Sequence, residues 1–427
     1  MIKACSRNHS VRPFVGALLA WLAVLCSGCD GSAVGASPAL DLPRIPWEGG
    51  SSYWASFDKA KAGGWTDPSF FPIVAWYDGV SSTEEVSFDK SLGINTYIGM
   101  PNTLDSSLLD SSGQFWIGGK LNDSFSASTK SWVGYFLDDE VDGRFPPAEG
   151  RAHLDSLRKE MPEGLFAYAN FTSMVLETDL AAGDSEKFVN GYTDAVSVDK
   201  YWYTIPQCSQ MPYRNPFLVP IAQKERRSAS SYGRTIDALR KRDDADGKPQ
   251  PLWAFIENMG GVDNASAFSG YITPDQLKGA VMNSILHEAR GILYFNQSFT
   301  GPCQSSNVFR SAQVIPSFCG IPQVKAVQAV DEVIKNLAPV INTQSYVWNF
   351  GEGLDTMLKA DGGYAYIFSM PSAASRPGAR DFQLPAQVMG RSVEVLNESR
   401  TLSADSHGRF TDSFPQEWSF HIYKVKI

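Results

Sequence analysis

Eight short apolar runs rich in β-formers recur along this chain, and helix-like stretches separate many of them. The runs are IVAWYDG (73–79), INTYIGM (94–100), QFWIGG (114–119), WVGYFLDDE (132–140), LFAYANF (165–171), AVSVDKYWY (195–203), LWAFIENM (252–259) and GILYFNQSF (291–299). Helical patterning appears over 147–161, 232–242 and 273–289. In the last stretch Thr273 suits an N-cap and Pro274 the first helical position, and Leu277, Val281, Ile285 and Leu286 fall on one face. Strands alternating with helices in this number predict an α/β fold, a closed (β/α)8 TIM barrel over residues 45–343. The connections around 100–130 are short and polar, so irregular crossovers are expected there. A doubly wound sheet would need a glycine-rich phosphate turn after its first strand, and none is present.

From about Gln344 the pattern changes. YVWNF, TMLKA, YAYIFSM, SVEVLN and FHIYKVKI are short alternating runs separated by turns such as Gly362-Gly363 and His407-Gly408. They predict a small antiparallel, sandwich-like β-domain over 344–427.

The N-terminus reads as an address. Lys3, Arg7 and Arg12 precede an apolar run from Phe14 to Cys26 that is shorter than the roughly 20 residues a membrane span needs. The ending Leu25-Cys26-Ser27-Gly28-Cys29 resembles a bacterial lipobox, with Leu25 one step earlier than usual. That resemblance implies a signal peptide over 1–28 and lipidation of Cys29. An ordinary secretory signal is the alternative. Residues 29–44, small and rich in Gly, Ser, Ala and Pro, read as a flexible tether. The expected location is the bacterial cell envelope, facing outward from the cytoplasm, with a lipid anchor as the sole membrane contact.

Composition narrows the function. The net charge of −9 disfavours polyanions, so no nucleic-acid partner is expected. Apolar residues at 43% and charged residues at 19% describe a folded chain. Aromatic residues at 12% are compatible with carbohydrate binding. Beyond Cys29 there remain Cys208, Cys303 and Cys319, which allow one disulfide and one leftover thiol without choosing the pair. No metal motif is present, no H-E-x-x-H, no G-x-S-x-G and no P-loop. His287 falls within a helical stretch and reads as structural.

Barrels of this kind carry chemistry at the C-terminal ends of their strands. The fourth run ends in Asp138-Asp139-Glu140 and the seventh in Glu257-Asn258. Two carboxyl groups can cleave a glycosidic bond, one as acid and one as nucleophile or base, retention requiring a gap of about 5–5.5 Å. An acidic triplet often does no more than cap a solvated strand. A charge ending an apolar run such as Leu252–Ile256 needs a partner or a role. Trp76, Tyr77, Tyr97, Trp116, Tyr201, Trp202, Tyr203, Tyr294 and Phe295 lie near strand ends and offer faces for sugar rings, or simply fill the core. Asp78, Asn170, Asp199, Lys200, Asn296 and Gln297 are polar candidates for binding hydroxyls.

On these residues the chain resembles the large glycoside hydrolase clan of (β/α)8 enzymes with catalytic glutamates at strands four and seven. FFPIVAWYDGV, LGINTYIGM, GYFLDDE, SVDKYWY, WAFIEN and ARGILYF resemble secreted bacterial barrels of that kind. VEVLNESRTL and GRFTDSFPQEWSFHIYKV resemble the β-domain that often follows them. The resemblance implies Glu140 as acid/base, Glu257 as nucleophile, and a tyrosine contacting the nucleophile, with Tyr201 nearest and Tyr203 second. Where many members have Asn before the strand-four Glu, this chain has Asp139, which can still bind a hydroxyl and would repel a charge on Glu140. Asp138 is a competing acid on the neighbouring face. The D-x-x-D-x-D-x-E spacing of chitinase-like barrels is missing.

The expected function is retaining hydrolysis of O-glycosidic bonds, without a cofactor, by a monomer acting on carbohydrate. A non-catalytic surface glycan-binding lipoprotein and a transglycosylase are the alternatives.

Overall fold

The computed structural model describes residues 40–204, 221, 225–260, 270–299, 301, 303–373 and 375–427. Cys29, Cys208 and the stretch read as a signal peptide lie outside them. Eight parallel strands close into a barrel in sequence order: β1 (Ile73–Trp76), β2 (Thr96–Ile98), β3 (Phe115–Ile117), β4 (Trp132–Asp139), β5 (Phe166–Phe171), β6 (Ala195–Val198), β7 (Leu252–Glu257) and β8 (Gly291–Phe295). Pairing of Ile73–Trp76 with Ile292–Phe295 completes the ring. Each predicted run contains one strand. Strands β5 to β8 are buried along their whole length, as parallel strands covered on both faces must be.

The helices are α1 (Asp58–Ala62), α2 (Thr83–Leu92), α3 (Ser106–Ser112), α4 (Val141–Arg144), α5 (Pro147–Glu160), α6 (Ala182–Gly191), α7 (Ser230–Asp243), α8 (Pro274–Leu286), α9 (Val308–Val314) and α10 (Ile321–Ile341). Helix α8 starts with Pro274 behind a capping box, in which Thr273 accepts from the Gln276 N–H and the Gln276 side chain accepts from the Thr273 N–H. The polar crossovers are thin as expected: α3 has seven residues, and no helix lies between β3 and β4.

Inside the barrel the side chains alternate with those outside. Trp54, Trp65, Phe166 and Trp253 pack within 6.4 Å of one another between ring centres and plug one end. At the C-terminal end Trp76, Phe136, Phe255, Tyr201 and Phe295 form an aromatic floor. Tyr97, Trp116, Trp202 and Tyr294 instead belong to the outer core beneath the helices. Their polar tips are spent there; the Tyr97 and Tyr294 hydroxyls donate to Asp89 and Asp331.

The C-terminal domain is a six-stranded antiparallel sheet facing a two-stranded one. The strands are β9 (Ser345–Tyr346), β10 (Leu354–Asp361), β11 (Tyr364–Pro371), β12 (Gly378–Gln383), β13 (Ser392–Val395), β14 (Arg400–Ser403), β15 (Arg409–Phe414) and β16 (His421–Lys426). The larger sheet runs β14-β13-β16-β11-β10-β9, and β12 pairs with β15. Phe382 stacks on Phe410 at 4.6 Å and reaches Tyr423 of the larger sheet at 5.2 Å, which joins the two layers.

Residues 40–44 correct the tether expectation. Leu40 is buried in the β-domain core, Arg44 bridges to Tyr346, and Asp41 and Gln387 exchange hydrogen bonds. Leu40 and the pairing groups of the backbone leave water on docking, so this segment is part of the fold. Cys303 and Cys319 form the disulfide, a choice that the spacing left open. Among the described residues no helix is long and apolar enough to cross a membrane.

Candidate active site

Strands β4 to β7 each send a polar side chain inward at or just past the C-terminal end: Asp139, Asn170, Asp199 and Glu257. For β4 this depends on a bulge. Phe136 pairs with Tyr168 but Asp139 with Asn170, so three residues on β4 span two on β5. The extra residue reverses the alternation. Asp139 turns inward and Asp138 outward, where it meets Arg144 at 2.5 Å and His153 at 2.6 Å. Asp138 therefore braces the outside of the strand and is not a ligand of the barrel mouth.

Glu140 follows in the left-handed region, φ 51°, uncommon for a residue with a side chain. Its N–H donates to the Asn170 carbonyl, and α4 begins directly after it. Asp142 of α4 accepts from both the backbone N–H and the hydroxyl of Thr172, tying the turn to the end of β5. Glu140 itself stays partly exposed.

The inward groups are linked. Asn170 donates to Asp139 at 3.0 Å and accepts from Ser197 at 2.6 Å, and Ser197 meets the Tyr168 hydroxyl at 2.6 Å. Burial, with the charge of Glu140 adding to it, pushes the Asp139 carboxyl up to about 6 against the Asn170 bond. Burial raises Asp199 well above the carboxylate range, and the charges of Glu140, Asp139 and Asp142 raise it further.

Glu257 is fully buried. Its Oε1 accepts from the Tyr232 hydroxyl at 2.7 Å, the Tyr203 N–H at 3.2 Å and the Thr204 hydroxyl at 3.4 Å. Its Oε2 is buried and has no hydrogen-bond partner among the described residues. Burial raises the carboxyl to about 7, opposed by the Tyr232 hydroxyl, its own backbone N–H, the Tyr203 N–H and the Thr204 hydroxyl. The Tyr201 phenol lies in the field of Asp199, Asp139, Glu257 and Glu140 together. Asp139 and Glu257 are the last residues of β4 and β7, so both lie at the same end of the parallel barrel.

Two expected hydroxyl binders are spent elsewhere. Asp78 is buried against Asn307 at 2.5 Å and Arg310 at 3.7 Å. Asn296 is buried too, donating to Asn307 and accepting from the Phe309 N–H, both at 3.0 Å. Both hold the connection from β8 to α9. Trp76 and Tyr201 sit in the aromatic floor. Tyr203 contacts Glu257 through its backbone, while its hydroxyl donates to Glu417 at 2.6 Å.

The tyrosine whose hydroxyl holds Glu257 is Tyr232, near the start of α7; the helical stretch over 232–242 contains it, but nothing in the sequence marked it as a site residue. The signal was positional: a helix following β6 begins at the C-terminal rim, so its first turn can reach the end of β7. Tyr77 and Phe299, 43% and 47% exposed, are the apolar faces beside the floor. Tyr77 also has a left-handed backbone, and its ring lies over Gly99, where a Cβ would come within 2.6 Å of it. Among the described residues no group of His, Cys, Asp and Glu could hold a metal ion.

No family model matches the chain, and no curated protein matches it. Among solved structures it is similar to an alpha-amylase from Anoxybacillus (10% identity, 84% of this chain and 98% of that chain, TM-score 0.46). It is also similar to a GH30 endoxylanase from Clostridium papyrosolvens C71 (10%, 84% and 97%, 0.37) and to alpha-L-fucosidase isoenzyme 1 from Paenibacillus thiaminolyticus (11%, 86% and 99%, 0.35).

Proposed function

We propose that this protein is a retaining glycoside hydrolase, with Glu257 as nucleophile and Glu140 as acid/base. The observation that carries the reading is the state of Glu257. A buried carboxylate with one oxygen held by three donors, and the other without a hydrogen-bond partner among the described residues, supports attack by Oε2.

In the proposed reaction Oε2 of Glu257 bonds to the anomeric carbon while the glycosidic oxygen leaves with a proton from Glu140. Glu140 then takes a proton from water, whose oxygen displaces Glu257 and releases the sugar. Asp139 and Asn170 supply acceptors and donors for hydroxyls on the β4–β5 side. Tyr77 and Phe299 supply faces for sugar rings. Export and lipid anchoring at Cys29 belong to the same reading, since a polysaccharide substrate lies outside the cytoplasm.

The test is turnover of a panel of aryl glycosides by Glu257→Gln and Glu140→Gln. Loss of the nucleophile is expected to lower kcat by a factor on the order of 10⁴ or more. Glu140→Gln is expected to spare substrates with good leaving groups. For the parent, kcat/KM is expected to rise with pH through about 7 as Glu257 ionises. Turnover unaffected by both substitutions removes the assignment, and glycan binding without turnover selects a binding protein.

A further inference from the structure

The C-terminal β-domain reaches the candidate nucleophile through one side chain. Glu417 lies between β15 and β16. Its Oε1 accepts from the Tyr203 hydroxyl at 2.6 Å, and its Oε2 accepts from the Ala229 N–H at 2.9 Å. Those two partners belong to the two segments that hold Glu257. Tyr203 donates its own N–H to Glu257 Oε1. Ala229 is the N-cap residue of α7, three positions before Tyr232, whose hydroxyl donates to the same oxygen. The Tyr203 N–H also donates to the Tyr232 hydroxyl at 3.1 Å, and the two rings stack at 5.7 Å.

One carboxylate thus clamps the loop after β6 to the start of α7, and Glu257 sits on the far side of that clamp. The clamp is anchored next door: Trp418 packs against α8 at Gly279, where a Cβ would come within 2.5 Å of the Trp418 Cβ. Any larger residue at 279 would push Trp418, and Glu417 with it, off the barrel.

We infer that Glu417 is a positioning residue for Glu257, so that the β-domain is a working part of the site and more than a brace. The inference rests on the hydrolase reading for its consequence in turnover, but the positioning is measurable without it. Two carboxylate oxygens accepting from two different segments set the distance between them, which sets the Tyr203 N–H and Tyr232 hydroxyl relative to Oε1. Donors to the anion favour the ionised form. Loosening them moves the ionisation of Glu257 upward, and with it the acid side of the activity profile.

The variants are Glu417→Gln, which keeps size but removes an acceptor, and Tyr203→Phe, which removes one bond and leaves the backbone donor. Glu398→Gln, elsewhere in the same domain, is the control. The titration of Glu257 is read by infrared difference spectroscopy on the ¹³C-glutamate-labelled full chain against Glu257→Gln. Alongside it, kcat and KM are measured on an aryl glycoside from pH 5 to 9. Both variants are expected to raise the Glu257 midpoint by about one unit and to lower kcat/KM about tenfold below pH 7. KM and the thermal midpoint are expected to stay near the parent's, and the control to match the parent throughout. A Glu257 midpoint unmoved in both variants overturns the inference, even where Glu257→Gln is inactive and the hydrolase reading stands. A shifted midpoint with turnover surviving Glu257→Gln upholds the clamp and overturns the hydrolase reading.

Discussion

Glu257 is pulled in two directions. Burial disfavours its charge, and hydrogen bonds from Tyr232, its own backbone, Tyr203 and Thr204 favour it, with a net rise to about 7. A free carboxyl ionises near 4.5. The folded state therefore keeps a proton that the unfolded chain releases, and stability falls as pH rises from about 4.5 through about 7. The cost of the charged form is on the order of 3 kcal/mol. Glu257→Gln removes that cost and retains an acceptor for Tyr232. It is expected to unfold at the same urea concentration as the parent near pH 4.5, and to be more stable by about 2–3 kcal/mol at pH 8. Parallel stability curves for the two proteins would show instead that the carboxyl ionises in its ordinary range. For a candidate nucleophile, a charged form that weakens the fold is the expected trade if the proposed chemistry needs an anion in a buried place.

Barrel and β-domain also meet just past the end of α8. His287, just past α8, meets Asp237 of α7 and Asp355 of β10, each at 2.8 Å. Burial alone would lower its midpoint, but the two carboxylates hold it well above the usual imidazole value. Asn283 adds a bond to Asp355, and the charge of Arg234 also acts on it. A protonated histidine stabilises here, so its contribution is complete below about pH 6.5 and is lost as pH climbs through the raised midpoint. His287→Ala leaves a part-buried Asp355 without its main partner and is expected to cost about 1–3 kcal/mol at pH 6. Denaturant titration at pH 6 and 9 checks this, and the gap between parent and variant is expected to narrow at the higher pH. Unlike this clamp, the bulge in β4 acts by geometry alone: one extra residue decides which of Asp138 and Asp139 enters the barrel.

As a body, residues 40–427 include one continuous fold whose N-terminal segment packs on its C-terminal domain. A disulfide between Cys303 and Cys319 fits an oxidising compartment, where such bonds persist. The proposed export by the lipoprotein route gives a definite expectation. Full-length protein expressed in a bacterium fed a radiolabelled fatty acid is expected to carry label and fractionate with membranes. Cys29→Ser is expected to lose the label. No label in the parent would leave an ordinary secretory signal as the reading, and label retained in Cys29→Ser would put the lipid on another residue.

The eight strands, the three patterned helices and the switch to an antiparallel domain were legible because periodicity and capping are local properties. The runs ending at Glu140 and Glu257 were legible for the same reason, since strand ends in a parallel barrel share one rim. What the chain order did not disclose is what depends on neighbours. Asp78 and Asn296 look like free polar strand ends until α9 folds back on them. Asp138 and Asp139 exchange faces through a bulge that leaves no mark on apolar alternation. Tyr232 and Glu417 lie 25 and 160 positions from Glu257 and converge on its surroundings only when α7 and the β-domain dock. Hydrogen bonds of this kind are set by three-dimensional proximity, which local pattern does not encode.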